Sequence, residues 1–150
     1  MKYLNSKTIK HRIPANEDLP VIISLLSECS LPISDIEPGK QSFIVAEDEG
    51  KMIGCAGLEI YGQIALFRSL AVKSDYRNLN IGKLLTNEVI ALGRKKSIGE
   101  FYLLTNTAEG FFRKQGWNIT DRNEVPPGIT RSSEFASICP STAICMKYTL

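Results

Sequence analysis

Six consecutive residues, Arg77, Asn78, Leu79, Asn80, Ile81 and Gly82, have the types and spacing of an anion cradle. They follow the apolar stretch Ile64 to Val72 and open a segment with Leu84, Leu85, Val89, Ile90 and Leu92 at helical spacing. A helix entered there leaves about four N–H groups without intrahelical partners, and the macrodipole places about half a positive charge among them. A pyrophosphate satisfies both. Gly82 keeps the tight point clear of side chain, Asn80 suits a left-handed backbone position, and Arg77 adds a direct charge. The same six residues also fit an ordinary surface loop at a helix start, so their surroundings must decide.

The other groups that could do chemistry are few. Cys29, Cys55, Cys139 and Cys145 form no C-x-x-C pair and are too widely spread for a disulfide framework. Three lie in or beside apolar runs, as buried thiols do. His11, the single histidine, lies in a short extended stretch beside Arg12 and reads as a surface residue. No metal site is expected.

A chain of 150 residues can bury a full core as one domain, here 1–150, and its 43% hydrophobic content is ordinary. The net charge of +2 comes from scattered basic residues, which argues against a nucleic-acid partner. The run Arg94, Lys95, Lys96 instead sits where it complements a helix C-terminus. No apolar stretch approaches the roughly 20 residues of a membrane span, and Met1 to Lys10 has no secretory apolar segment. A cytoplasmic protein is expected, without membrane attachment, as a monomer or homodimer.

The elements that must position the cradle follow from periodicity and turn chemistry. Thr8 to Ile13 reads as a strand, and Leu19 to Leu26 as a helix entered through Pro14 to Asp18 with Asn16 as its cap. Ile33 to Ile36 fits one further helical turn and a candidate acceptor lid. Ser42 to Glu47, Met52 to Ile60 and Ile64 to Val72 form an antiparallel meander with turns at Glu49-Gly50 and Tyr61-Gly62. A helix from Ile81 to Lys96 crosses over to a strand at Glu100 to Thr105, which pairs parallel to the strand ending at Val72. Ala108 to Gln115 is a short helix stopped by Gly116, and Trp117 to Thr120 opens a strand. Asn123 to Pro140 carries three prolines, three serines and a glycine, the composition of a long functional loop. Ala143 to Thr149 closes the sheet.

This order, with an Arg-x-x-x-x-Gly turn after the fourth strand, resembles the GNAT superfamily of N-acetyltransferases over nearly the whole chain. The superfamily signature (Gln/Arg)-x-x-Gly-x-(Gly/Ala) is matched by Arg77 and Gly82, with Asn80 at the first glycine. A second pattern, Asn-x-Ala-x-x-Phe-Tyr-x-Lys-x-Gly-Phe, is echoed by Asn106, Ala108, Phe111, Phe112, Lys114, Gly116 and Trp117. Within the superfamily the chain is most similar to small acetyltransferases encoded with bacterial arsenic-resistance genes. The matching segments include Gly54 to Glu59, Leu66 to Val72, Tyr102 to Thr105, and Ser133 to Phe135 with Cys139-Pro140. Amino-acid N-acetyltransferase domains acting on glutamate resemble it less closely. The implied fold is α/β (α+β), a mixed, mostly antiparallel sheet of six to seven strands with about four helices and one splayed parallel pair.

The resemblance implies acetyl-CoA as co-substrate, no metal, and a small-molecule amine acceptor that also carries acid groups, arsenic- or phosphorus-containing amino acids among them. Pyrophosphate would sit on the amides from Arg77 through Lys83, including Asn78, Leu79, Asn80, Ile81 and Gly82. Pantetheine would run along Leu70, Ala71 and Val72 like an added strand, with the Leu70 amide polarising the thioester carbonyl. Asn106 and Phe111 are further candidate cofactor contacts. The positions that often carry a catalytic glutamate and an acid tyrosine hold Leu66 and Phe112, which exchange no proton.

A turn at Tyr61-Gly62 places Glu59 opposite Ile64, Gly57 opposite Leu66 and Cys55 opposite Arg68, so Glu59, Leu66 and Arg68 share one sheet face. Glu59 is therefore the candidate amine-binding group or water-mediated base, and Arg68 the candidate clamp for an acceptor oxyanion. A plain Glu59–Arg68 ion pair is the structural alternative. Ser69 and Ser133 are candidate substrate contacts, and Ser132, Glu134 and Phe135 lie with Ser133 in the loop that would close the site. Cys139 and Cys145 evoke arsenic–thiolate binding, but two thiols without a third soft ligand make a poor specific site. Absence of both usual proton-transfer residues also fits a non-catalytic acyl-CoA-binding or thiol-based sensor. A protein acceptor is disfavoured by the lack of an evident acidic groove.

Overall fold

Two tight turns organise the first half of the sheet. Glu49 and Gly50, both left-handed at φ 50° and 79°, form the type I′ pattern that joins β2 (Ser42–Asp48) to β3 (Lys51–Tyr61). Gly62, at φ 67°, opens the turn from β3 to β4 (Ile64–Val72). That turn is Gly62-Gln63, one residue later than expected at Tyr61-Gly62, because glycine supplies the positive φ required at its first central position. Counting from it places Glu59 opposite Leu66 rather than Ile64. A shift of two residues keeps every side chain on its expected face.

The computed structural model describes residues 9–138 and 142–150. The remaining elements are β1 (Ile9–Arg12), α1 (Leu19–Glu28), α2 (Ile81–Lys95), β5 (Glu100–Thr105), α3 (Glu109–Arg113), β6 (Asn118–Ile119), α4 (Pro127–Thr130) and β7 (Ile144–Thr149). The sheet has seven strands in the order β1-β2-β3-β4-β5-β7-β6. β4 and β5 are parallel, with Ile64 to Leu66 registered on Glu100 to Tyr102, as expected for two strands joined by a helical crossover. β5 and β7 pair antiparallel over all six residues of β5. Among the described residues no helix is long and apolar enough to cross a membrane.

The backbone forms two compact units, one of Met1–Gly57 with Ser69–Val89, the other of Leu58–Arg68 with Ile90–Leu150. In the first, Ile22, Leu25 and Leu26 of α1 pack with Phe43, Val45, Met52, Cys55 and Ala71. Its helix entry differs from expectation. Asn16 opens a 3-10 turn instead of capping, and Asp18 accepts from the Ala15 N–H at 2.7 Å and from both terminal nitrogens of Arg12 at 2.8 and 3.0 Å. Residues 31–41 form turns and no helical turn at Ile33 to Ile36. In the second unit, Leu66, Tyr102, Val125, Ile129 and Cys145 form an apolar cluster that Phe135 joins. The long loop of this unit holds α4 and a π-helical turn, Glu134–Ile138. Cys139 lies outside the described residues.

Candidate functional site

The turn between β4 and α2 belongs to the first unit. Asn78 and Asn80 both take left-handed conformations, φ 66° and 64°, and asparagine is the non-glycine residue that tolerates this most readily. Asn80 thus does the conformational work at the signature's first glycine position. Its carbonyl accepts from the Leu84 N–H at 3.0 Å, the first helical bond of α2, so Ile81, Gly82 and Lys83 contribute first-turn amides. Gly82 has no positive φ; its value is the absence of a side chain at that turn. Arg77, Asn78, Leu79, Asn80 and Lys83 are exposed, whereas Ile81 is buried and fastens the turn. Gly54 of β3 makes this possible. A Cβ there would stand 3.0 Å from Leu85, 3.1 Å from the Ala71 carbonyl and 3.5 Å from Ile81.

The strand entering the turn is interrupted at Ser69, whose φ is 61°. From Tyr61 back to Ile53 there is one residue fewer than from Ile64 on to Lys73, yet the Lys73 N–H donates to the Ile53 carbonyl at 2.8 Å. The extra residue on β4 makes a bulge at Ser69, immediately before Leu70. The Cys55 thiol donates to the Ser69 carbonyl at 3.4 Å, and burial pushes that thiol up to about 12. Arg77 Nε donates to the Val72 carbonyl at 3.2 Å, so its guanidinium folds back against the strand end.

The second unit holds the carboxylates. Arg68 is fully buried; its Nη1 donates to Glu59 Oε2 at 2.7 Å and its Nε pairs with Glu134 Oε2 at 3.3 Å. Glu59 Oε1 accepts from the Tyr61 hydroxyl at 2.6 Å. Glu59, Tyr61, Leu66 and Arg68 all project on one face of the hairpin, by the alternation of β3 and β4. Glu59 and Arg68 share one face as expected and form the ion pair given above as the structural alternative, which Tyr61 and Glu134 extend. Tyr61 shares the parity of Glu59, which is a legible signal; that Glu134 meets Arg68 is not written in any local pattern.

The other candidates are dispersed. Leu66 is buried among Tyr102, Val125 and Ile129. Phe112 packs against Phe67 and Trp117, ring centroids 5.6 Å from each, on the opposite face of β4 from Arg68. Phe111 is half-exposed and edge-on to Phe112 at 5.0 Å. Asn106 is exposed in the bend after β5, where the Thr105 hydroxyl accepts from the Ala108 N–H at 3.0 Å. Ser133 precedes Glu134 in the loop. Among the described residues no group of three or more His, Cys, Asp or Glu could hold a metal ion. Cys145 is buried and its thiol is raised to about 11 by desolvation.

Residues 39–119 match the acetyltransferase (GNAT) domain family. An uncharacterized N-acetyltransferase of Chlorobaculum tepidum is 32% identical over 106 residues, 70% of this chain and 66% of that protein. The amino-acid acetyltransferase of Vibrio vulnificus is 36% identical over 86 residues, 55% of this chain. The match covers only 19% of that longer relative. Among solved structures, N-acetylglutamate synthase from Neisseria gonorrhoeae, complexed with coenzyme A and L-arginine, aligns with a TM-score of 0.78 at 19% identity, over 95% of this chain and 33% of that one. A Mycobacterium tuberculosis protein in complex with CoA and NLQ aligns with a TM-score of 0.77 at 20% identity, over 94% and 99%. With the matched residues running from before β2 to the end of β6, across the Asn78–Asn80 turn, the chain belongs to the GNAT acetyltransferase family.

Proposed function

We propose that the chain moves an acetyl group from acetyl-CoA to the amine of a small amino-acid-like acceptor, by direct attack in a ternary complex. The buried Arg68 guanidinium, held by Glu59 and reached from the loop by Glu134, carries the acceptor class. Arginine presents five N–H donors in a planar fork, and such a fork in a desolvated place selects planar or tetrahedral acid groups. The coenzyme A in the gonococcal and mycobacterial neighbours supports the donor.

The residues of the β4–α2 turn fit a pyrophosphate. Two left-handed asparagines turn the chain so that the amides of Ile81, Gly82 and Lys83 open a helix, with Arg77 beside them. Leu70, Ala71 and Val72 offer strand backbone to the pantetheine, and the Leu70 amide, one residue past the Ser69 bulge, is assigned to the thioester oxygen. Asn106 is assigned to a pantetheine amide and Phe111 to the cofactor's thiol end. Acetyl-CoA supplies an activated acyl carbon: an N–C bond forms, the C–S bond breaks and CoA leaves as the thiol. Glu59 binds the acceptor's amine or takes, through water, the first proton its ammonium must lose, and the second amine proton passes to the departing thiolate. Ser69 and Ser133 are assigned as further polar contacts for the acceptor.

Release of CoA thiol across a panel of amines tests this reading. The panel includes acidic amino acids, their carboxamides and side-chain phosphinate and arsonate analogues. Saturable, amine-dependent release with preference for acid-bearing amines is expected. Saturable CoA binding without release from any amine would overturn it in favour of an acyl-CoA sensor.

A further inference from the structure

The Arg68 side chain has 0% exposure, so an acceptor acid can reach it only by displacing a group already there. Two carboxylates are the candidates. Glu59 stands on β3, 2.7 Å from Nη1, with its second oxygen held by Tyr61 at 2.6 Å. Glu134 approaches a different nitrogen, Nε, at 3.3 Å, and it comes from the loop. Its backbone opens the π-helical turn Glu134–Ile138, a wide and irregular geometry that is common at functional sites. The Phe135 N–H reaches the Ser132 hydroxyl at 3.4 Å, the Ala136 N–H donates to the Ser132 carbonyl at 2.9 Å, and Arg122 lies 5.6 Å over the Phe135 ring.

We propose that Glu134 occupies on Arg68 the place that the acceptor's own acid group takes during turnover, so that loop carboxylate and acceptor acid compete for one guanidinium. The inference rests on Arg68 being the acid clamp of the proposed reaction. Exchange of one carboxylate for another keeps an anion on Nε beside the Glu59 contact on Nη1, whereas a neutral group in the same place removes that second anion from the buried guanidinium. Glu134 is thereby a specificity residue: only an acceptor that brings its own acid can release the loop. Ser133, the preceding residue, moves with it.

The experiment uses the full chain with acetyl-CoA, and glutarate and glutaramide as probes. In the wild type, glutarate should speed amide hydrogen exchange of residues 132–136 about tenfold, and glutaramide should leave it unchanged. The Glu134→Gln variant should bind glutarate about tenfold more tightly and glutaramide equally. Glutarate binding that leaves the exchange of 132–136 unchanged, or an E134Q affinity for glutarate no higher than wild type, overturns the role of Glu134 alone. If glutarate binds neither protein, the assignment of Arg68 as clamp falls, and Glu134's role with it. Should E134Q fail to fold, the wild-type exchange measurement decides.

Discussion

Arg77, which opens the turn between β4 and α2, donates its Nε to the Val72 carbonyl 3.2 Å away, and a terminal nitrogen lies 3.9 Å from the Cys29 sulfur. The same side chain therefore ties the turn to the end of β4 and carries charge beside the helix N-terminus. Replacing Arg77 by Ala removes both. It should raise the KM for acetyl-CoA about tenfold with little change in kcat, since the interaction is equal in ground and transition states. Unchanged KM in steady-state thiol-release assays would remove Arg77 from the cofactor site.

Arg68 gives a split outcome. Arg68→Ala removes the cation that Glu59 and Glu134 both contact, and loss of one partner of a buried ion pair costs about 3–5 kcal/mol. Arg68→Lys keeps the charge and loses the fork. The lysine variant should keep a cooperative thermal melt while its acceptor KM rises at least about tenfold and its acetyl-CoA KM stays put. A wild-type acceptor KM would sink the clamp.

Gly93 lies in α2, where alanine is ordinarily the better helix former by about 0.5–1 kcal/mol. Here a Cβ would meet Phe101 at 2.5 and 2.7 Å, and that ring is fully buried. Overpacking of this kind costs about 1–3 kcal/mol, so Gly93→Ala should destabilise the protein in urea unfolding despite its propensity. An increase in stability would mean that the ring moves aside freely.

The two-pronged contact of Asp18 with Arg12, with the Ala15 amide, holds its carboxyl down to about 2. A depressed carboxylate contributes stability above its unfolded pKa and loses it as pH falls through the folded one. The melting temperature of wild type should therefore exceed that of Asp18→Asn at neutral pH, and the gap should close as pH falls towards 2. A gap constant across that range would show that the ion pair contributes nothing.

In a Cys139→Ser background, a thiol reagent at pH 8 should label half-buried Cys29 and leave Cys55 and Cys145 untouched until denaturant is added. With Cys55 pushed up to about 12, its thiolate is on the order of one part in ten thousand at that pH. Rapid native labelling of Cys55 would show that its packing against β4 opens.

Local pattern carried the meander, the crossover helix and β5, because their apolar periodicity and turn glycines are contiguous in the chain. The bounds Ile81 and Glu100 to Thr105 agree with expectation for that reason. The Gly62-Gln63 turn slipped by one residue, because either dipeptide could place Gly62 in it and only the φ demanded by the first central position decides between them. The faces survived, since the resulting shift of two preserves strand parity. Asn16 lost the cap because Asp18 found a partner, Arg12, on the preceding strand.

By itself the sequence determined the β4–α2 turn: Arg77 through Gly82 between a strand and an amphipathic helix, with asparagines at both positions that turned out left-handed. It also placed Glu59 and Arg68 on one face, because alternation is a local rule. Tertiary structure alone brought Glu134 to Arg68, 66 positions apart along the chain. It likewise turned Phe112 onto the Phe67 side of β4 and coiled Arg77 onto Val72. Backbone chemistry repeats at short range and can be read from neighbours. A buried ion pair closed by a loop depends on where the whole chain folds back, and no local period encodes that.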